Sequence, residues 1–501
     1  MKKTLKVLGV IALLLLLIAA ACFKPLDTTP YKETKFYKSE LDELDYGDAA
    51  DSGAHRITSI ALAHLAANDS AFAKQIAAQA QSDTLQVGWS RVNLLPPFTT
   101  PIAIDAHRGG KHFEGVHDSI YVRAFVFKQG DTKVAYVSAD LLIIPPSVSK
   151  LFDNILAKQG FDQRNIFFTA THTHTSIGAW YDSYVGEKFA GKYDKRVPEF
   201  IAQTIATAIL AAEQNCSPAS IGYGSFPTQK LVFNRLITQM AHLPDSLGEV
   251  DSILRVVKIE KQTGEKAAII TFAAHNTIYH ENLMRLSADW CGRLMSDLNK
   301  SREINFASFS AGAVGSHGPV EPFKDTTERT RWMGEVFEEQ DNNVAYVADG
   351  IKKIVLENFD LIQTYDQSPL VMRHLPLFLR EPNLRVSERF VVRPWLFKKL
   401  FGDEKTYINT LQIGNIFFAG TPCDFSGELV NELDSTAKVQ GLSLLVTSFN
   451  GGYIGYVTDS RRYELNTYET RVMGWFGPGN GDYLSEVISR IMLKTKPAQI
   501  R

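Results

Sequence analysis

From residue 85 to about residue 490 the chain alternates between two patterns, and this alternation constrains the fold more than any other feature. Short runs rich in β-branched and aromatic residues have strand character: "SIYVRAFVFK" (119–128), "KVAYVSADLLII" (133–144) and "RNIFFTATHTH" (164–174). Helical spacing lies between and after them in "PSVSKLFDNILAKQG" (146–160), "VPEFIAQTIATAILAAEQN" (197–215) and "NVAYVADGIKKIVLENF" (343–359). "ILRVVKIEK" (253–261) and "KAAIITFAAHNT" (266–277) read as strands joined by the turn "QTGE", and "TYINTLQIGNIFFAGTPCDF" (406–425) and "LSLLVTSFNGGYIGYVTD" (442–459) as late strand pairs. The alternation predicts an α/β fold of stacked layers. The basic, aromatic stretch 373–407 breaks the pattern and reads as an insertion near the substrate.

The ends of the chain differ from this body. "MKKTLKVLGVIALLLLLIAAAC" has Lys2, Lys3 and Lys6, then an apolar run, small residues and Cys22, the layout of a secretory signal. A cysteine after "AAA" resembles the bacterial lipobox. Its match predicts an exported protein held at a membrane surface by a lipidated Cys22, with a periplasmic or secreted product as the alternative. Residues 23–50 read as a polar tether and 51–84 as an Ala- and Leu-rich helical preface, with the main domain over 85–501. Besides Cys22 the chain has Cys216, Cys291 and Cys423, an odd number that excludes a full disulfide framework. With 53 Lys and Arg against 55 Asp and Glu there is no basic excess to hold a phosphate backbone, which argues against nucleic acid as a partner.

"TATHTHTSIG" (169–178) sets His172 and His174 one residue apart at the end of a strand-like run. In an extended strand such residues face the same way, so both imidazoles could serve one site as metal ligand, acid or base. A polar strand end with hydrogen-bonded imidazoles explains the pair equally well in isolation.

The stretch is not isolated. "ATHTHTSIGAW" resembles a segment of the neutral/alkaline (non-lysosomal) ceramidases, and other segments resemble that family's in the same order. These are "FEGVHDSIYVRAFVF" (113–127), "VAYVSADLLII" (134–144), "VFNRL" (232–236), "AAHNT" (273–277) with "LSADWCG" (286–292), "GTPCDFSGEL" (420–429) and "GYIGYVTDSRRYELNTYETRVMGWFGP" (452–478). The resemblance implies a large mixed-sheet zinc hydrolase domain of neutral ceramidase type, lacking the family's C-terminal β-sandwich. It implies Zn2+ bound by His172, His275, Asp424 and Tyr456, and catalytic roles for His174, Arg235 and Tyr468. Zinc would activate water to attack the N-acyl amide of a ceramide-like lipid, giving a sphingoid base and a fatty acid. His174 would handle the proton, and Arg235 and Tyr468 the developing oxyanion.

Two departures bear on that reading. Asp424 stands where the family has glutamate, beside Cys423. Where the family carries a serine near the scissile bond, this chain has "SAGAVGSHGP" (310–319): direct counting places Gly315 there, and a shift of one residue offers Ser316. The altered loop leaves two alternatives, a zinc hydrolase of another N-acyl amide or ester, and a non-catalytic surface-binding lipoprotein of the same fold.

Overall fold

The computed structural model describes residues 2–34, 84–104, 108, 110–239, 248–327, 331–366, 369–402 and 406–495. Most of the helical preface (51–83) and part of the tether (35–50) lie outside these residues.

The main helices, in chain order, are α1 (Lys2–Cys22), α2 (Tyr184–Ala190), α3 (Arg196–Gln214), α4 (Asp289–Leu298), α5 (Met333–Asn358), α6 (Pro394–Phe401), α7 (Val430–Val439) and α8 (Asn480–Lys494). The principal strands are β1 (Gln86–Asn93), β2 (Tyr121–Gln129), β3 (Thr132–Ala139), β4 (Ile166–Ala170), β5 (Ser217–Pro227), β6 (Ile253–Lys261), β7 (Lys266–Phe272) and β8 (Phe306–Ala311), followed by β9 (Leu370–Leu377), β10 (Thr406–Ile413), β11 (Ile416–Gly420) and β12 (Ser443–Thr447). The first eight form one sheet in the order β8-β7-β6-β5-β1-β2-β3-β4, and the last four a second sheet in the order β9-β10-β11-β12.

Alternation along the strands explains the layering. On β2, Val122, Ala124 and Val126 face α3, while Phe125 and Phe127 face the second sheet. On β7, Ala268, Ile270 and Phe272 face α4 and α5, and Ala267 and Ile269 face inward. On β11, Phe417 and Ala419 meet α7 and α8, and Phe418 meets the large sheet. Both sheets are therefore buried on both faces, and the stack is helix, sheet, sheet, helix. Its central seam is aromatic: Phe418 lies 5.5 Å from the ring of Tyr136 and 5.9 Å from that of Phe167. Arg123 on β2 and Asp140 just past β3, both almost fully buried, form an ion pair at 2.9 Å inside the large sheet. The residues quoted above from "VRAF" and "SADL" thus meet each other.

Among these twelve strands three pairs are parallel, β3 with β4, β7 with β8, and β11 with β12. Parallel neighbours bring carboxyl ends to the same edge, the usual place for a site in α/β sheets. Here the ends of β4, β7 and β11 meet at one point between the two sheets.

Four readings change. Residues 373–377 and 406–407 are paired strands of the second sheet, so the insertion narrows to about 378–405. The helix read over 146–160 is two single turns and a 3-10 turn, ended by Gly160 at φ 74°. The strand read into "GYIGYVTD" is reduced to Tyr456–Val457, because Gly451 (φ 100°) and Gly455 (φ 81°) turn the chain. Residues 23–34 of the tether lie on the domain: Phe23–Pro25 pairs antiparallel with Phe390–Val392, and the buried Tyr31 packs 5.6 Å from the ring of Tyr483.

Phe418 is fully buried between the sheets. Replacement by Ala is expected to cost about 3–5 kcal/mol, read from the urea midpoint with an unchanged slope. A loss below about 1 kcal/mol would mean that the sheets do not pack on this residue.

Candidate active site

His172 follows β4 after one residue, and it is not in a strand. Its φ is 63°, in the left-handed region that a β-carbon disfavours. The expectation that the THTH pair converges through strand alternation is therefore corrected: a turn brings the two rings together, their centroids 4.9 Å apart and nearly perpendicular. Phe449, also left-handed at φ 68°, stacks on His172 at 4.2 Å. His275 lies three residues past β7, and its backbone N–H donates to the carbonyl of His317. Asp424 and Tyr456 are paired in register on two short parallel strands beyond β11 and β12.

The hydrogen bonds fix the imidazole tautomers. His172 Nδ1 lies 2.7 Å from the carbonyl of Leu142, and His275 Nδ1 lies 2.7 Å from that of Val314 and 3.0 Å from that of His317. A carbonyl only accepts, so both Nδ1 atoms carry a proton, and in the neutral rings that ligate a metal both Nε2 atoms turn lone pairs inward. Those lone pairs point at a carboxylate. Asp424 Oδ1 is 3.3 Å from His172 Nε2 and 3.5 Å from His275 Nε2. Tyr453 donates to Oδ2 of the same carboxylate at 2.8 Å, whereas the fully buried Oδ1 has no hydrogen-bond donor. Tyr456 Oη stands 3.2 Å from His275 Nε2, and His174 Nε2 is 3.4 Å from His172 Nε2.

Lone pairs facing lone pairs in a buried place need a cation between them. One ring nitrogen from each of His172, His174 and His275 falls within 4.8 Å of the others, and this group could hold a metal ion. Imidazole nitrogen with carboxylate oxygen is also a donor set that zinc takes. Burial first, then neighbouring cations and imidazoles, holds the pKa of His275 and of His174 well below the usual histidine value, so both rings are neutral and able to ligate. Burial and the Asp424 charge push the Tyr456 phenol well up. Cys423, adjacent to Asp424, turns instead into the apolar layer under α7 and α8.

Arg235 and Tyr468 complete the rim. The Arg235 guanidinium sits 5.7 Å from the ring centre of Tyr456, donates to the carbonyl of Gly315 and pairs with the buried Glu469 at 3.3 Å. Tyr468 packs edge-on against Tyr456 at 5.7 Å, and burial followed by the Asp424 charge lifts its pKa to about 12, so it remains a hydroxyl donor. These residues floor an apolar pocket walled by Ile143, Trp180, Phe189, Phe401, Met473 and Trp475.

Ser316 is not brought to this pocket. Its Oγ donates to Glu428 at 2.5 Å and lies 2.8 Å from His317 Nδ1, in a buried cluster closed by Arg462. The backbone N–H of Asp251 donates to His317 Nε2, so that ring also has its proton on Nδ1 and serves the cluster as a donor. Gly315, at the position that direct counting gave, packs against the backbone of Asp424. A β-carbon there would lie 2.4 Å from the carbonyl of Asp424, so the close approach requires glycine.

Sequence reasoning missed the residues that position the site: Phe449 stacked on His172, Tyr453 on Asp424, Glu469 on Arg235, and Arg108, which donates to the carbonyl of His174 at 2.8 Å. The tyrosine in "GGYIGY" carried no signal that would set it apart from an ordinary core aromatic.

Residues 108–327 match the family model described as neutral/alkaline non-lysosomal ceramidase, N-terminal. Over this segment, 220 of 501 residues, the chain is similar to the neutral/alkaline ceramidases. The curated neutral ceramidase of Pseudomonas aeruginosa is 27% identical over 239 residues, which is 44% of this chain and 36% of that protein. The chain thus matches well under half the length of this relative. The crystal structure of neutral ceramidase from Pseudomonas aeruginosa superposes with a TM-score of 0.70 at 16% identity, covering 84% of this chain and 76% of that one. A ceramidase complexed with C2 superposes at 0.67 and 17% identity, over 83% and 76%. At these identities the likeness is one of fold, and it covers more of the chain than the sequence match does.

Two substitutions test the metal group. His172→Ala and His275→Ala are each expected to abolish metal binding, measured as metal content after dialysis, while the folded circular dichroism is kept. Retained metal in both would remove them as ligands. Gly315→Ala is expected to displace the Asp424 backbone and weaken metal affinity by about tenfold or more, read by competition with a chromophoric chelator.

Proposed function

We propose that this chain is a zinc-dependent hydrolase of an N-acyl amide bond in a ceramide-like lipid, exported and anchored at a membrane through Cys22. One observation supports the chemistry above others: the donorless Asp424 Oδ1 facing two imidazole lone pairs at the floor of an apolar pocket. His172, His275, Asp424 and Tyr456 are the residues that would hold zinc. Zinc on such a donor set supplies Lewis acidity, polarising a carbonyl oxygen and bringing the pKa of water down towards about 7.

The chain's own residues supply the rest. The apolar walls take the hydrocarbon and leave the amide at the polar floor. Arg235, held by Glu469 and the Gly315 carbonyl, is aimed towards the place where charge develops on the amide oxygen, and the Tyr468 hydroxyl is a second donor on the same side. His174 is neutral and lines the pocket with its ring nitrogen beside the ligand group, so it can take a proton from attacking water and return it to the leaving amine. No serine hydroxyl reaches the pocket from the 310–319 loop, so water rather than a side chain is the nucleophile in this reading.

That loop also favours a second reading. Gly315 is packed against Asp424 and Ser316 is committed to Glu428, so any grip that a relative's serine exerts on its substrate is lost. The preferred substrate would then be another N-acyl amide or an ester with an equally apolar tail.

The test is turnover of a fluorogenic N-acyl-sphingosine by the purified chain. Hydrolysis is expected to stop with a chelator and to return with zinc. Tyr468→Phe and Arg235→Ala are each expected to lower kcat by about 10²–10³-fold with zinc content unchanged. A zinc-loaded protein inert towards this substrate but active on another N-acyl amide or ester would establish the second reading. Inertness towards the whole panel would leave a binding protein.

A further inference from the structure

The junction between α1 and the domain is fastened to one place. Arg393 N donates to the carbonyl of Cys22 at 2.8 Å, and Arg393 Nε donates to those of Ala20 at 2.9 Å and Phe23 at 3.0 Å. Trp395 Nε1 donates to the carbonyl of Ala21 at 2.8 Å. Residues 23–25 then pair with residues 390–392. The fastening point is therefore the insertion, at the start of α6.

The same insertion walls the active site. Phe397 stacks on Phe401 at 4.4 Å, and Phe401 lines the pocket. Phe23 packs against a single apolar cluster that includes Val392, Phe397, Trp475 and the presumptive ligand Tyr456. Past Phe401 and Met473, which both line the pocket, a second cavity leads to Leu384, Arg471 and Val472. The two cavities share Phe189, Phe401 and Met473 as a common wall beside the insertion.

The surface here is apolar and basic together. Val386, Phe390, Trp395 and Val472 are each about half exposed, at 50%, 48%, 51% and 51%. Between residues 386 and 399 the chain carries Arg389, Arg393, Lys398 and Lys399 against a single acid, Glu388, which is paired with Arg471. Apolar tips among cations suit the interface of an anionic bilayer. What lies next to this surface is also hydrocarbon. The side chains of α1 from Leu13 to Ile18 are each more than half exposed, and no helix among the described residues is long and apolar enough to cross a membrane. On the Cys22-anchored reading, hydrocarbon from α1 or from acyl chains on Cys22 would lie next to Trp395, which holds the carbonyl of Ala21.

We propose that residues 386–399 and Val472 rest on an anionic lipid bilayer, and that the pocket draws its lipid substrate from that bilayer through the opening between the insertion and residues 471–473. The proposal rests on the exported, Cys22-anchored reading and names the route by which that substrate arrives. The anchor and the entrance are one structure: membrane attachment holds the mouth of the pocket against the lipid instead of leaving it to diffuse.

The test uses the full chain reconstituted in vesicles of phosphatidylethanolamine and phosphatidylglycerol, with bromine on the acyl chains. Brominated lipid is expected to quench part of the tryptophan emission. That part should be lost in Trp395→Phe and kept in Trp332→Phe, a control on the exposed Trp332. Equal quenching in the wild type and in Trp395→Phe would overturn the proposal. This readout needs no turnover, so an error in the assigned reaction does not affect it. Where turnover is present, Val386→Glu with Phe390→Glu should lower hydrolysis of vesicle-borne substrate about tenfold, leaving a water-dispersed short-chain amide unaffected. Equal loss on both substrates would also count against the proposal.

Discussion

A buried carboxylate oxygen without a donor is the constraint on which the rest of the site depends. Asp424 Oδ1 is fully buried and faces the lone pairs of His172 and His275. Without a cation between them these groups repel, and in a low-dielectric interior that repulsion is severe. The protein nevertheless holds them in place. Backbone carbonyls fix both imidazole tautomers, Tyr453 occupies the other carboxylate oxygen, and Phe449 clamps one ring. His172 and Phe449 both adopt left-handed backbone to do so. Strain and repulsion concentrated at one point, with the surroundings arranged to maintain them, mark a site built for an ion.

The four-layer stack explains how such a point can be held. Two sheets buried on both faces leave little freedom at their centre, and three parallel pairs bring strand ends to one edge. His172 and His275 come from the large sheet, and Asp424 and Tyr456 from beyond the small one. The site therefore exists only when both sheets are formed and packed, and the aromatic seam around Phe418, Tyr136 and Phe167 sets their spacing.

Much of this was legible in the sequence, for identifiable reasons. Layers of α and β followed from hydrophobic periodicity, which burial imposes directly. His172, His174 and His275, singled out from short motifs, do come together in the structure. Local extrapolation failed where tertiary contacts decide. THTH looked like a strand, yet His172 turns left-handed under pressure from Phe449 and Leu142. "GYIGYVTD" looked like a strand, yet two glycines at positive φ bend it so that Tyr456 can reach the ligand group. Ser316 was a candidate only through a one-residue shift, and its hydrogen bonds to Glu428 and His317 show that the loop turns its hydroxyl away. The start of the tether looked polar and independent, but Phe23 and Tyr31 fasten it to the domain.

The central proposal is that a metal ion would be held by His172, His275, Asp424 and Tyr456. X-ray absorption at the zinc edge of the metal-loaded chain tests it most directly. The account predicts only nitrogen and oxygen neighbours at about 2.0–2.2 Å, with the multiple-scattering signature of imidazole. A sulfur neighbour at about 2.3 Å would place the metal on a cysteine instead and contradict the account, as would a protein that cannot be loaded at all.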